Sequence, residues 1–98
     1  MNTYLYRIQP ARIEMLKDGS TEEEDRIIGE HFKYLSRLHD RGVVWMAGRT
    51  LTTDLSSFGI VIIQVEDEAS ADKLMKADPA VKLGVMKADL FPFKIAIS

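Results

Sequence analysis

His31 is the residue whose type and position most suggest chemistry. It lies in the stretch EEDRIIGEHFKYLSRLHDRG, where apolar residues recur at the spacing of one amphipathic helix. At about 100° per residue, the apolar residues fall in an arc of roughly 160° that also contains His31. The members of the arc are Ile27, Ile28, His31, Phe32, Tyr34, Leu35, Leu38 and His39. An inward histidine either packs while donating to a backbone carbonyl or serves as a general acid or base.

A histidine that moves protons needs a partner for its second ring nitrogen, and Asp78 is the candidate. The spacing along the chain does not establish contact between the two residues. Asp78 precedes Pro79, so it equally suits a turn after a helix, where its carboxylate bonds to the local backbone. From the residues alone, this turn is the stronger interpretation of Asp78.

Metal and nucleophile chemistry find little support in the sequence. His31 and His39 are eight residues apart, which separates them by about 12 Å along a helix, so one ion cannot bind both. The absence of cysteine excludes cysteine-ligated zinc, iron–sulfur clusters and thiol catalysis. No phosphate-binding glycine loop or nucleophile elbow occurs, and Ser56 and Ser57 are interpreted as ordinary loop residues. We therefore expect a site with no metal and no cofactor.

The composition predicts a single domain over residues 1–98 with a thin core. The 13 basic and 15 acidic residues are mixed, the net charge is −2, and no basic run occurs, so nucleic-acid binding is not expected. No apolar run is long enough to cross a bilayer, and the N-terminus lacks a secretory pattern. Because the chain has no cysteine, a reducing cytoplasm is the default expectation.

Four strands are predicted. The first bulges or ends at Pro10, and Pro92 marks an edge or a bulge in the last. The third, FGIVIIQVE, is nearly continuous in Ile and Val, which predicts a central strand covered on both faces. The four predicted ranges are 3–16, 43–50, 58–66 and 86–98.

Two helices are predicted between these strands. The first begins with a capping box at Thr21 and Glu24, runs to about residue 40, and ends before Gly42. The second opens near Ser70 and ends before Pro79, since proline disfavours helical geometry in the preceding residue. Residues 80–85 are interpreted as a connection.

The resulting order, β-α-β-β-α-β, predicts an α+β fold of the ferredoxin-like type. In this fold a four-stranded antiparallel sheet carries both helices on one face. The other face would carry apolar residues such as Trp45, Ile60 and Ile62, and an apolar surface of that kind is not expected to remain in water. Pairing the sheets of two protomers would cover it, so we expect a homodimer.

An ordered set of short motifs covers nearly the whole chain, from about Arg12 onward, in the stretches EHFKYLSRLHDRGVVWMAGRT and DPAVKLGVMKADLFPF. The residues of this set are His31, Tyr34, Leu35, Gly42, Ala47, Gly48, Asp78, Pro79, Gly84, Val85, Pro92 and Phe93. In these residues the sequence resembles the YciI-like (YCII-related) proteins. The resemblance implies a dimeric α+β barrel and an acid–base pair formed by His31 and Asp78.

The chemistry of this family is poorly defined, although one relative resembles a dehydrochlorinase acting on a chlorinated hydroxyhydroquinone. Many relatives have Gly-Pro where this chain has Gly48–Arg49. Arg49 could bind an anionic substrate, but a surface or dimer-interface charge is the favoured interpretation, and Arg12 allows the same two interpretations. Tyr34 could line a ligand pocket, although packing is the simpler role.

The leading hypothesis is a small homodimeric enzyme that performs elimination or isomerisation on a small molecule, for which an aromatic ring is one candidate. His31 would be the acid/base and Asp78 would orient it, with Arg12, Tyr34 and Arg49 as candidate substrate contacts. The alternative is a non-catalytic binding or interaction module on a dimeric scaffold. A third hypothesis is a purely structural dimer in which His31 is a satisfied core residue.

Overall fold

The strands and long helices follow the predicted β-α-β-β-α-β order, with two short helices added. A computed structural model describes residues 1–98. Its elements are β1 (Asn2–Pro10), α1 (Glu14–Lys17), α2 (Glu22–Asp40), β2 (Val44–Arg49), β3 (Gly59–Val65), α3 (Glu68–Ala77), α4 (Pro79–Lys82) and β4 (Met86–Pro92). The strands form one antiparallel sheet in the order β2-β3-β1-β4, which confirms the ferredoxin-like α+β fold.

The core lies between the sheet and the helices on one of its faces. Alternate side chains of β1 and β3 point into it, because successive residues of a strand face opposite sides. Residues Tyr4, Tyr6, Ile8, Val61 and Ile63 form the sheet side of the core, and Leu35, Ala71 and Met75 form the helix side. As predicted, β3 is an interior strand, since it pairs with β1 and β2.

The start of α2 is fixed by the predicted capping box. The Thr21 hydroxyl accepts from the backbone N–H of Glu24, and the Glu24 carboxylate accepts from the backbone N–H of Thr21. The end of the helix is set by Gly42, whose φ of 79° suits a residue without a Cβ. Both ends of the helix that carries His31 are therefore encoded locally.

The first strand ends at Pro10, one of the two outcomes predicted there, and four of the residues that would continue it beyond a bulge lie in or beside α1. Several other predicted boundaries are wrong. The connection at 80–85 includes most of α4, and the last strand ends at Pro92 instead of continuing to residue 98. A four-residue helix is too short to display a hydrophobic period, so neither α1 nor α4 was detectable. The cap of α3 is Asp67, which accepts from the N–H of Ser70, so the helix begins at Glu68.

A β-bulge at Trp45 changes which side chains of β2 face the helices. Val44 pairs with Ile63, but Met46 pairs with Ile62, so Trp45 has no partner of its own. Beyond this extra residue, Ala47 pairs with the core residue Val61. The bulge thus turns the end of β2 so that Ala47 and Arg49 share the helix side of the sheet.

Candidate active site

His31 is buried on the inner side of α2, two turns from its N-terminus. Ile27, His31 and Leu35 are the buried residues of this helix, and they stand one above another at four-residue spacing. The His31 residue is only 4% exposed. An imidazole placed this deeply needs hydrogen-bond partners.

The partner of His31 is Asp78, 47 positions later in the chain. The His31 Nδ1 atom lies 2.7 Å from Oδ1 and 2.8 Å from Oδ2 of Asp78. Asp78 is fully buried. It occupies the junction of α3 and α4 with φ −59° and ψ 123°, a non-helical geometry that the following Pro79 favours.

The Asp78 carboxylate accepts from three groups. Besides His31, the Tyr6 hydroxyl donates to Oδ2 at 2.8 Å, and the backbone N–H of Ala80 donates to Oδ1 at 3.0 Å. The Ala80 bond makes Asp78 the cap of α4, so the turn interpretation of Asp78 is confirmed. Contact with His31 occurs at the same time, because the carboxylate has enough lone pairs for both.

These contacts determine which ring nitrogen of a neutral His31 carries the proton. A carboxylate only accepts, so the proton of a neutral His31 ring lies on Nδ1 and its lone pair lies on Nε2. Nε2 has no hydrogen-bond partner within the chain. The ring can therefore take up a proton at Nε2 while the adjacent carboxylate stabilises the resulting cation.

The His31 ring lines a cavity of about 420 Å³ between α2, the sheet and the loop before β3. Hydrophobic side chains form most of its wall, among them Ile8, Ile28, Leu35, Phe58, Val61 and Met86. Small-molecule sites typically have volumes of roughly 300–1,000 Å³ and walls of this character. Asp78 and Tyr6 do not line the cavity, so they lie behind the imidazole, where a ligand would not contact them.

Tyr6 is a member of this cluster that sequence reasoning did not select. Tyr6 is fully buried in the middle of β1. Burial, together with the neighbouring charge of Asp78 and their hydrogen bond, raises the Tyr6 pKa, so the phenol remains a donor. A tyrosine on the inner face of a central strand requires a partner for its hydroxyl, which is the signal that could have identified it.

The three candidate substrate contacts have different surroundings. Arg49 lines the cavity. Arg12 instead forms a paired hydrogen bond with the Glu24 carboxylate, at 2.8 and 3.0 Å, and it does not line the cavity. The Tyr34 hydroxyl donates to the carbonyl of Leu74 at 2.7 Å, and burial raises the Tyr34 pKa. Among these three, only Arg49 is positioned to meet a ligand beside His31.

Ser57 is a second residue that sequence reasoning did not select. It was interpreted as a loop residue, and it does precede β3, but it is only 6% exposed and lines the same cavity. The loop is shaped by Asp54, whose carbonyl accepts from the backbone N–H of Ser57 at 3.0 Å. No pattern in a polar loop indicates which hydroxyl turns inward.

No group of three or more His, Cys, Asp or Glu side chains is arranged to hold a metal ion. None of the helices has the length and apolar character needed to cross a membrane.

Comparison with known proteins identifies the family. The model of the YCII-related domain matches residues 8–94, which is most of the chain. The chain belongs to the YCII-related domain family. No curated protein matches the sequence closely enough to count as a relative.

Among solved structures, this YCII-related protein is similar to 5-chloro-2-hydroxyhydroquinone dehydrochlorinase from Burkholderia phenoliruptrix AC1100, in complex with 2,5-dihydroxybenzoquinone. The TM-score is 0.69 at 18% sequence identity, and the match covers 94% of this chain and 93% of that chain. The similarity establishes a shared fold.

Proposed function

We propose that this YCII-related protein is a small-molecule enzyme that catalyses elimination or isomerisation by proton transfer. The observation that carries the proposal is the hydrogen bonding and position of the His31 imidazole. His31 is bonded through Nδ1 to a buried carboxylate, its Nε2 is unpartnered, and the ring lines a cavity of ligand size. General bases in enzymes are commonly oriented in this way.

In the proposed reaction, Nε2 of His31 takes a proton from a C–H or O–H bond of the bound substrate. The electron pair of that bond forms a new π bond, and in an elimination the leaving group, such as chloride, departs with its own electron pair. The imidazolium, held by Asp78, then releases the proton to solvent. In an isomerisation it returns the proton to a different atom of the same molecule.

The similar solved structure supports a substrate with one six-membered ring. That protein is named for its action on a chlorinated hydroxyhydroquinone and was solved with a dihydroxybenzoquinone. The cavity of the present chain has an apolar wall and a volume that suit a single ring. A hydroxylated and halogenated ring is therefore the first substrate class to test.

The proposed enzyme is a cytoplasmic homodimer. Its support is the sheet face opposite the helices, where Met46 and Phe91 are 46% and 41% exposed.

The test is turnover of hydroxyhydroquinones with and without a chlorine substituent, followed by chloride release and by product absorbance. His31→Asn should reduce kcat/KM by at least about a hundredfold, the usual contribution of a general acid or base. His39→Asn is the matched control, because His39 lies on the same helix but is exposed. Its activity should equal that of the unmodified protein.

Two results would contradict the proposal. Equal turnover by the His31→Asn variant and the unmodified protein would remove His31 from the chemistry. Tight binding of ring compounds, with no chemical change in any of them, would favour the non-catalytic binding module instead.

A further inference from the structure

Arg49 faces the cavity because of the bulge in β2. Simple alternation from the core residue Val44 would place Arg49 on the opposite face of the sheet. The extra residue at Trp45 reverses this, and Arg49 pairs with Gly59, whose inner side lies against Ile8. Bulges are known to redirect side chains beside functional sites.

Arg49 has no anionic partner within the chain. It forms none of the ion pairs of the structure, whereas Arg7, Arg12 and Arg26 each have a carboxylate within 4.0 Å. No Asp or Glu is among the residues that line the cavity. The wall therefore offers one permanent positive charge next to apolar surface, on an exposed side chain that forms no ion pair within the chain.

Ser57 adds a hydroxyl that makes no hydrogen bond within the chain, at the end of the cavity where Arg49 lies. The end of β2 and the start of β3 meet there, because the backbone N–H of Thr50 donates to the carbonyl of Phe58 at 2.9 Å. Thr50 directly follows Arg49 in the chain, and Phe58 directly follows Ser57. The Ser57 hydroxyl makes no hydrogen bond within the chain, whereas the other serine of the wall, Ser20, donates to Asp25. The Ser57 residue is 6% exposed, but its hydroxyl oxygen is not among the buried unpartnered atoms, so a ligand oxygen in the cavity could reach it.

The geometry points to an anion subsite formed by Arg49 and Ser57, so that the substrate is a single-ring compound with an ionised oxygen, a carboxylate or an acidic phenolate. This inference rests on the proposed function for the reaction, but binding alone tests it. The anionic oxygen would lie at the Arg49 end of the cavity, and the reacting bond would face His31. Arg49 and Ser57 thus determine which molecules bind, and His31 acts on them.

The experiment is isothermal titration calorimetry with benzoate and its uncharged analogue benzamide. The unmodified protein should bind benzoate roughly tenfold or more tightly than benzamide, as expected for a hydrogen bond to a charged group. Arg49→Met should remove this preference, and Ser57→Ala should reduce it. Arg37→Met is the control, because Arg37 is exposed on α2 outside the cavity, and it should bind like the unmodified protein.

His31→Asn separates this inference from the proposed function. If Arg49 holds the anion, the variant should keep the preference for benzoate even though it has no activity. The inference is overturned if benzoate fails to bind, if it binds no better than benzamide, or if Arg49→Met retains the preference while His31→Asn loses it. Each measurement stands whether or not a substrate for turnover is found.

Discussion

Asp78 illustrates how two roles of one residue can be hidden in a sequence. The Asp-Pro pair predicts a turn, and the structure confirms it through the bond from Ala80 to Oδ1. The same carboxylate also accepts from His31 and Tyr6, from elements 47 and 72 positions away. The inward position of His31 was predictable from helical periodicity, whereas its contact with Asp78 depends on how α2 packs against α3 and α4 and has no local signal.

At the residue scale, Tyr6→Phe should change the pH dependence of the activity, although Tyr6 does not contact the ligand. Loss of its hydroxyl removes one donor from the Asp78 carboxylate, so the carboxylate stabilises the His31 cation more strongly. We expect the acidic limb of the kcat/KM pH profile to move to higher pH, and the free energy of unfolding to fall by about 1–3 kcal/mol. Tyr4→Phe is the control, because the Tyr4 hydroxyl does not contact Asp78. An unchanged pH profile in Tyr6→Phe would limit Tyr6 to a structural role.

At the scale of elements, local signals predicted the long helices and the strands, but not the features that build the cavity. The capping box of α2 was visible because its residues are three apart. The bulge at Trp45 was not, since a single extra residue leaves the composition of β2 unchanged. Arg49 was given a surface or interface role as its favoured interpretation; in the structure it is exposed and also lines the cavity.

The α2 N-terminus gives a pH-dependent prediction. Hydrogen bonds from Arg12 and from the Thr21 backbone lower the Glu24 pKa from 4.5 to about 2. Because the folded-state pKa is the lower one, the stabilisation is complete above about pH 4.5 and is lost as the pH falls toward 2. Glu24→Gln can keep the capping box but loses the ion pair with Arg12. Its Tm should lie below that of the unmodified protein at neutral pH, and the two values should converge near pH 2.

Glu22→Gln is the control for this comparison, because it removes a charge from the same helical turn without breaking an ion pair. Thermal unfolding followed by circular dichroism from pH 2 to 7 provides the measurement. A constant Tm difference between Glu24→Gln and the unmodified protein across this range would show that ionisation of Glu24 does not contribute.

At the scale of the whole molecule, the uncovered sheet face is the main feature that a single chain leaves unexplained. The half-buried Leu5 and Ile60 lie on it beside the exposed Met46 and Phe91, whereas Ile62 on the same face is already buried within the chain. The Arg7 guanidinium crosses this face over the Phe91 ring at 5.6 Å, and its Nε is buried without a partner. A second protomer packed here would cover the apolar side chains and could supply an acceptor for Arg7.

Met46→Lys should therefore convert the proposed homodimer into a monomer that remains folded. Met46 is 46% exposed in the single chain, so the substitution affects the fold little, but it places a charge inside the interface. Leu83→Lys is the control, because Leu83 is exposed at the end of α4, away from this face. Sedimentation equilibrium should give a dimer for the unmodified protein and for Leu83→Lys. A monomer in the unmodified protein at micromolar concentration would rule out the dimer.

The most direct test of the His31–Asp78 pair is ¹⁵N NMR of the two imidazole rings at a pH where both are neutral. His39, exposed on the same helix, provides an unconstrained reference. We predict that His31 carries its proton on Nδ1 and has an unprotonated Nε2, and that Asp78→Asn removes this strict preference. A neutral His31 ring protonated on Nε2, or one with the same tautomer mixture as His39, would contradict an acid–base role based on Asp78.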